Sequence, residues 1–207
     1  MVFLCAITPV FDECLPAFQL LTASLQEQTF KDFIHVAVSN GESPTIKKWI
    51  SELGDPRFIY DEFPREPTPS SDALFINLCK RRNYGLKKYQ AHRFVFLDAD
   101  LKIITSEYFE LLKHHHQDPL VILAKIKNGP SILPRFPVEL GTIDIANYSV
   151  SQSIAKTVDY PIDISCLGYA NDFRFYTKLE NFPYLVLPPI CGIKDGNKSY
   201  LRFTERN

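Results

Sequence analysis

Lys80-Arg81-Arg82-Asn83-Tyr84-Gly85 is followed, a few residues on, by Arg93-Phe94-Val95-Phe96-Leu97-Asp98-Ala99-Asp100. The order of these two stretches decides the fold. A basic helix leads into an unbroken apolar run, and the run ends in two carboxylates. Phe94 to Leu97 suits a central strand of a sheet covered on both faces. Asp98 and Asp100 then stand at the carboxyl end of that strand, where open α/β sheets gather their ligands. Two aspartates so near a core need a partner charge. Hard oxygen donors of this kind favour Mg²⁺ or Mn²⁺, ions that usually take one or two carboxylates plus substrate phosphates.

Working outward, apolar strands alternate with helical segments. Strands are expected at about 2–8, 33–39, 57–60, 93–98 and 120–125. Helices are expected at about 15–28, 45–53, 71–89 and 106–116. This alternation predicts an α/β fold with a mostly parallel central sheet flanked by helices. Residues 64–71 are rich in Pro and Ser and read as a loop. In the helix that follows, Leu74, Leu78 and Tyr84 to Leu86 turn to the sheet, so the Lys80-Arg81-Arg82 side is expected to be partly exposed. From Asn128 the helical period fades. Segments 141–149 and 184–187 read as strands, and 151–156 and 169–179 as helices. With no internal repeat and no low-complexity linker, 1–207 reads as one domain.

Arg-Asn-x-Gly, a hydrophobic strand and Asp-x-Asp in this order resemble the family 2 glycosyltransferases of the GT-A (nucleotide-diphospho-sugar transferase) fold. Upstream, Phe3 to Phe11, with Thr8-Pro9 inside it, resembles that family's opening strand and turn. Ser24 to Phe30 resembles the end of its first helix. Ile34 to Val38 followed by Ser39-Asn40-Gly41-Glu42-Ser43 resembles its second strand and the Asp-Asp-Gly-Ser turn. Downstream, Tyr169-Ala170-Asn171-Asp172-Phe173 resembles its Glu-Asp motif. The first half is matched well and the second thinly. Ser39 and Asn40 replace the family's aspartates, and Asn171 replaces its Glu.

The resemblance implies a division of labour. Residues 1–127 would bind the nucleotide sugar, and 128–207 would hold the acceptor. Asp100 would bind Mn²⁺ or Mg²⁺ directly, and Asp98 would reach the ribose or the ion through water. Thr8, Pro9 and Asn40 would lie at the base, and an Asn amide both donates and accepts there. Arg82 and Asn83 would meet the nucleotide's phosphates or base, a role suited to the planar guanidinium. Asp172 would be the general base. The implied activity is inverting transfer from a nucleotide-diphosphate sugar, most commonly a UDP-sugar, to a hydroxyl of a saccharide or other acceptor. The rival reading is a non-catalytic module that keeps the fold for binding or assembly.

Composition narrows the alternatives. Of 207 residues, 45% are hydrophobic and 23% charged, an ordinary soluble globular balance. A net charge of −1 implies no general attraction to nucleic acid. The cysteines at 5, 14, 79, 166 and 191 form no Cys-x-x-Cys pair and suggest neither zinc nor a disulfide framework. They read as reduced thiols of a cytoplasmic protein. No signal peptide is legible, and no apolar run approaches the roughly 20 residues that span a bilayer. His114-His115-His116 point about 100° apart on a helix and so cannot converge on one ion. A phosphatase with Asp-x-Asp would carry the motif near its start, with Thr or Val where Lys102 stands. A nucleotidyltransferase would carry a Gly-rich basic loop where Pro9 to Glu13 stands. Asp195-Gly196-Asn197-Lys198 reads as a turn, with Lys198 a candidate for a diphosphate.

Overall fold

The computed structural model describes residues 1–67, 71–103, 105–118, 120–161 and 168–194. The turn with Lys198, and Cys166, lie outside them.

The first half follows the expected alternation. Strands β1 (Val2–Val10), β2 (Phe33–Asn40), β3 (Phe58–Phe63) and β4 (Ala91–Phe96) are joined by helices α1 (Leu15–Gln26), α2 (Pro44–Leu53) and α3 (Ser71–Lys88). They pair in parallel in the order β3-β2-β1-β4. Alternation along β1 splits the core. Leu4, Ala6 and Val10 join Phe18, Leu21 and Leu25 of α1 on one face, while Cys5 and Ile7 join Cys79 and Leu86 of α3 on the other. Burial on both faces is why these strands read as continuous apolar runs.

Beyond β4 the direction of pairing changes, and the sheet is mixed rather than mostly parallel. The remaining elements are β5 (Leu101–Ile103), α4 (Tyr108–His114), β6 (Val121–Asn128), β7 (Ser131–Leu133), β8 (Tyr148–Ser151), α5 (Gln152–Thr157), α6 (Gly168–Leu179) and β9 (Tyr184–Lys194). The order continues β4-β8-β6-β9-β5, with β7 paired to β6. β8 is antiparallel to both β4 and β6, whereas β9 is parallel to β6. Because β4 pairs in parallel with β1 and antiparallel with β8, the aspartates after it stand where the sheet changes character.

Several local expectations are corrected. Of the expected 141–149 strand, only Tyr148 and Ser149 fall in β8, since Asp144 caps a short 3₁₀ turn, its side chain accepting from Ala146 N at 2.9 Å. β5 and β7, of three residues each, carry too little pattern to be legible. The last strand does not stop before Pro188-Pro189. It continues to Lys194, and the register against β6 shifts at Leu123 to Ile126, an irregularity that accommodates prolines.

On the basic side of α3, Lys80 is partly exposed as expected, but its two neighbours are buried. Arg81 and Arg82 keep 1% and 4% of their surface. Arg81 donates through Nη1 to the carbonyls of Val10 at 2.6 Å and Val38 at 3.5 Å, tying the helix to the ends of two strands. One turn on, a Cβ at Gly85 would sit 2.9 Å from Ile7 Cδ1, so only glycine lets α3 approach β1 this closely.

Candidate active site

A cleft of about 250 Å³ opens at the carboxyl end of β4. Pro9, Arg82, Asp98, Asp100 and Asp172, all expected at the site, line it, although they come from four separate segments. Asp144, Tyr160 and Lys194 line it too, and the sequence reading missed them.

Asp98 lies between two cations. Arg82 Nη2 donates to its Oδ1 at 2.6 Å, and the Lys194 ammonium donates to its Oδ2. Burial alone would raise the pKa of Asp98, but the charges of Lys194 and Arg82 override it and hold the carboxyl at about 2. Lys194 also donates to both oxygens of Asp144, at 2.8 and 2.9 Å. Its side chain is 8% exposed. Burial opposes the charged form of Lys194, yet Asp144, Asp98 and Asp100 together carry its pKa well above the ordinary lysine value.

Asp100 differs from its neighbour. Its Oδ1 is buried and has no protein partner. Burial pushes its pKa up to about 6, with Lys194 pulling down and Asp98 and Asp144 adding to the rise. A hard anionic oxygen left without a donor is what a divalent cation requires. Among the described residues, no three His, Cys, Asp or Glu side chains converge as metal ligands. The lining carries four carboxylates against the two cations Arg82 and Lys194. Fully ionised, it is therefore negative by two charges and would repel a dianionic diphosphate unless a cation accompanied it. The donor set thus fits a divalent ion held through Asp100.

Asp172, on α6, is fixed by both oxygens. Tyr160 donates its hydroxyl to Oδ1, and Ile145 N donates to Oδ2 at 3.1 Å. Burial first, and the Asp144 charge second, push its pKa up to about 7, against the pull of Arg82 and the Tyr160 hydrogen bond. Its neighbour Asn171 is buried, and the amide nitrogen lies 3.6 Å from Cys79 Sγ.

The other expected residues are held behind this lining. Asn83 spends its amide on the backbone of Tyr160, donating to the carbonyl at 2.9 Å and accepting from N at 2.8 Å. It therefore positions the tyrosine that holds Asp172. Asn40 does the same for Glu66, donating to its carbonyl and accepting from its N, each at 2.8 Å. Ser39 Oγ lies 2.5 Å from the Gly41 carbonyl and 2.9 Å from the Tyr60 hydroxyl. Thr8 is fully buried, its Oγ1 2.8 Å from His35 Nε2. No residue of the histidine run joins the site. His116 Nδ1 lies 2.7 Å from the Lys113 carbonyl, and its ring packs edge-on against Phe3.

The missed residues carry little signal in the sequence. Asp144 sits in a loop sequence with no motif of its own. Lys194 closes a strand whose second half is hidden by Pro188-Pro189, and its register partner Leu101 directly follows Asp100.

No protein-family model matches the chain, and no curated protein matches its sequence. Solved structures do match its shape. Residues 1–349 of S. aureus TarS in complex with UDP align with a TM-score of 0.68 at 20% identity, over 98% of this chain and 62% of that one. The TarS complex with UDP-GlcNAc gives 0.65 at 17%, over 95% and 59%. The mannosyltransferase PcManGT from Pyrobaculum calidifontis, with GDP-Man and Mn²⁺, gives 0.64 at 11%, over 96% and 58%. The chain therefore spans about three fifths of the length of these structures. Together with the mixed sheet and the cleft beyond β4, this likeness identifies the fold of the chain as GT-A.

Proposed function

We propose that this chain is a family 2-like inverting glycosyltransferase domain that moves a sugar from a nucleotide-diphosphate donor to an acceptor hydroxyl. The observation that carries the reading is the pair of unlike aspartates after β4. Asp98 is neutralised by Arg82 and Lys194, while Asp100 keeps a buried oxygen without a partner. A divalent ion, Mn²⁺ or Mg²⁺, held by Asp100 supplies positive charge against the departing diphosphate. The known complexes of similarly shaped proteins with UDP, UDP-GlcNAc and GDP-Man with Mn²⁺ support a donor of this class.

The chain's own residues do the rest. Asp172 removes the proton of the acceptor hydroxyl as that oxygen bonds to the anomeric carbon. The bond from that carbon to the diphosphate breaks on the opposite side, so configuration inverts. A carboxyl near pKa 7 is matched to this task at neutral pH, which is the usual condition for efficient general-base catalysis. Tyr160 and Ile145 N fix the base in place, and Asn83 fixes Tyr160. Residues 1–127 supply most of the donor site, to which Asp144 and Lys194 of the second half are added, and the second half supplies the base that meets the acceptor.

Calorimetric titration with UDP-, GDP- and other nucleotide diphosphates, with Mn²⁺ and with a chelator, tests the donor class. Asp100→Ala is expected to abolish the metal-dependent part of binding while circular dichroism shows an intact fold. Unchanged metal-dependent binding in that variant would remove Asp100 from the site.

A further inference from the structure

Lys194 is the least expected group in the cleft. A lysine that keeps 8% of its side-chain surface is rare unless its charge is compensated, and here the compensation comes from carboxylates placed for other chemistry. Its place is set by backbone pairing. β9 runs antiparallel to β5, and Leu101 faces Lys194 across the ladder. Strand register therefore delivers the ammonium beside Asp100, against Asp98 and Asp144.

Charge makes the arrangement consequential. Without Lys194, the only fixed cation among the described lining residues would be Arg82, facing Asp98, Asp100, Asp144 and Asp172. Carboxylates confined in this way repel strongly. A divalent ion near Asp98 would lie close to an ammonium already bonded there, and the two cations would repel in turn.

We propose that Lys194 is a resident counter-ion of the donor site: its ammonium and a divalent cation held through Asp100 compete for the negative charge of Asp98, Asp100 and Asp144, so Lys194 must yield Asp98 when the ion binds. The inference rests on the metal-assisted donor reading above and adds to it a residue that weakens ion binding in the absence of nucleotide. A free site kept electrically balanced by its own lysine stays folded without metal. It takes up the ion chiefly together with an anionic donor, which brings charge that the ammonium can meet instead.

The test uses Mn²⁺ alone, without nucleotide, titrated calorimetrically and followed by the loss of the free-ion electron paramagnetic resonance signal. Lys194→Met is expected to bind Mn²⁺ about tenfold more tightly than the unaltered protein, because a competing charge is gone. Lys194→Arg, which keeps the charge, is expected to bind no more tightly than the unaltered protein. A second readout is thermal unfolding. Lys194→Met is expected to melt lower without metal and to recover when Mn²⁺ is added, since the ion takes the place of the lost ammonium. Should the variant fold only with Mn²⁺, the same conclusion follows. Equal Mn²⁺ affinity in the Met variant and the unaltered protein would overturn the proposal and leave the metal reading standing. A Met variant that melts low and gains nothing from Mn²⁺ would also overturn it, showing a purely structural lysine. Absence of Mn²⁺ binding in every variant would overturn the proposal as well, and titration with nucleotide and Mn²⁺ together would then decide the donor reading separately.

Discussion

Asp98 and Asp172 are both buried carboxylates, yet their neighbours drive them in opposite directions. Asp98 meets two cations, which hold its pKa at about 2, whereas that of Asp172 is raised to about 7 by burial and the charge of Asp144. This separation assigns different tasks to chemically identical groups. Transfer at saturating donor should rise with pH as Asp172 loses its proton, with a half-point near 7. Tyr160→Phe removes a hydrogen bond that favours the carboxylate, so its half-point should move to higher pH; a profile unchanged in that variant would detach Tyr160 from the base. Asp172→Asn should keep donor affinity in calorimetry and lose transfer by a factor of at least about 10². Normal turnover in that variant would take Asp172 out of the mechanism. For stability the sign is opposite. The folded-state value lies above the ordinary 3.8, so the contribution of Asp172 is complete below that value and is lost as pH rises through about 7.

At the scale of elements, helix α3 carries one residue type per task. Arg81 ties strand ends, Arg82 neutralises Asp98, Asn83 holds the backbone of Tyr160, and Gly85 lets the helix settle on Ile7. The Arg-Asn-x-Gly pattern was legible as a signal, and so was its position before the strand. Its physical content was not, because Asn83 serves a residue 77 positions away and no local pattern encodes that contact. Gly85→Val sets a helix-propensity gain of a few tenths of a kcal/mol against overpacking at Ile7 of about 1–3 kcal/mol. Net destabilisation is expected in urea unfolding, and an unchanged midpoint would contradict the packing described here. The same distinction explains the second half. β4 was readable as a four-residue apolar run, while β5, β7 and β8 are too short to carry a period. The prolines inside β9 hid the strand that delivers Lys194.

Across the whole molecule, a parallel half and a mixed half meet at β4, and the chemistry gathers where they meet. The first half contributes Arg82, Asp98 and Asp100, and the second contributes Asp144, Tyr160, Asp172 and Lys194. The first set follows from spacing because its members lie within 19 residues on consecutive elements. The second set depends on how β8, β6 and β9 fold back across the sheet, which long-range pairing decides. Among the described residues, no helix is long and apolar enough to cross a membrane. On the proposed function, this cleft binds a nucleotide diphosphate with a divalent cation. Calorimetric titration of a nucleotide-diphosphate panel with and without Mn²⁺ tests it most directly. One preferred nucleotide is expected, bound only with the ion and no longer bound by Asp100→Ala. Binding of none of them, with Mn²⁺ present and the protein folded, would contradict it.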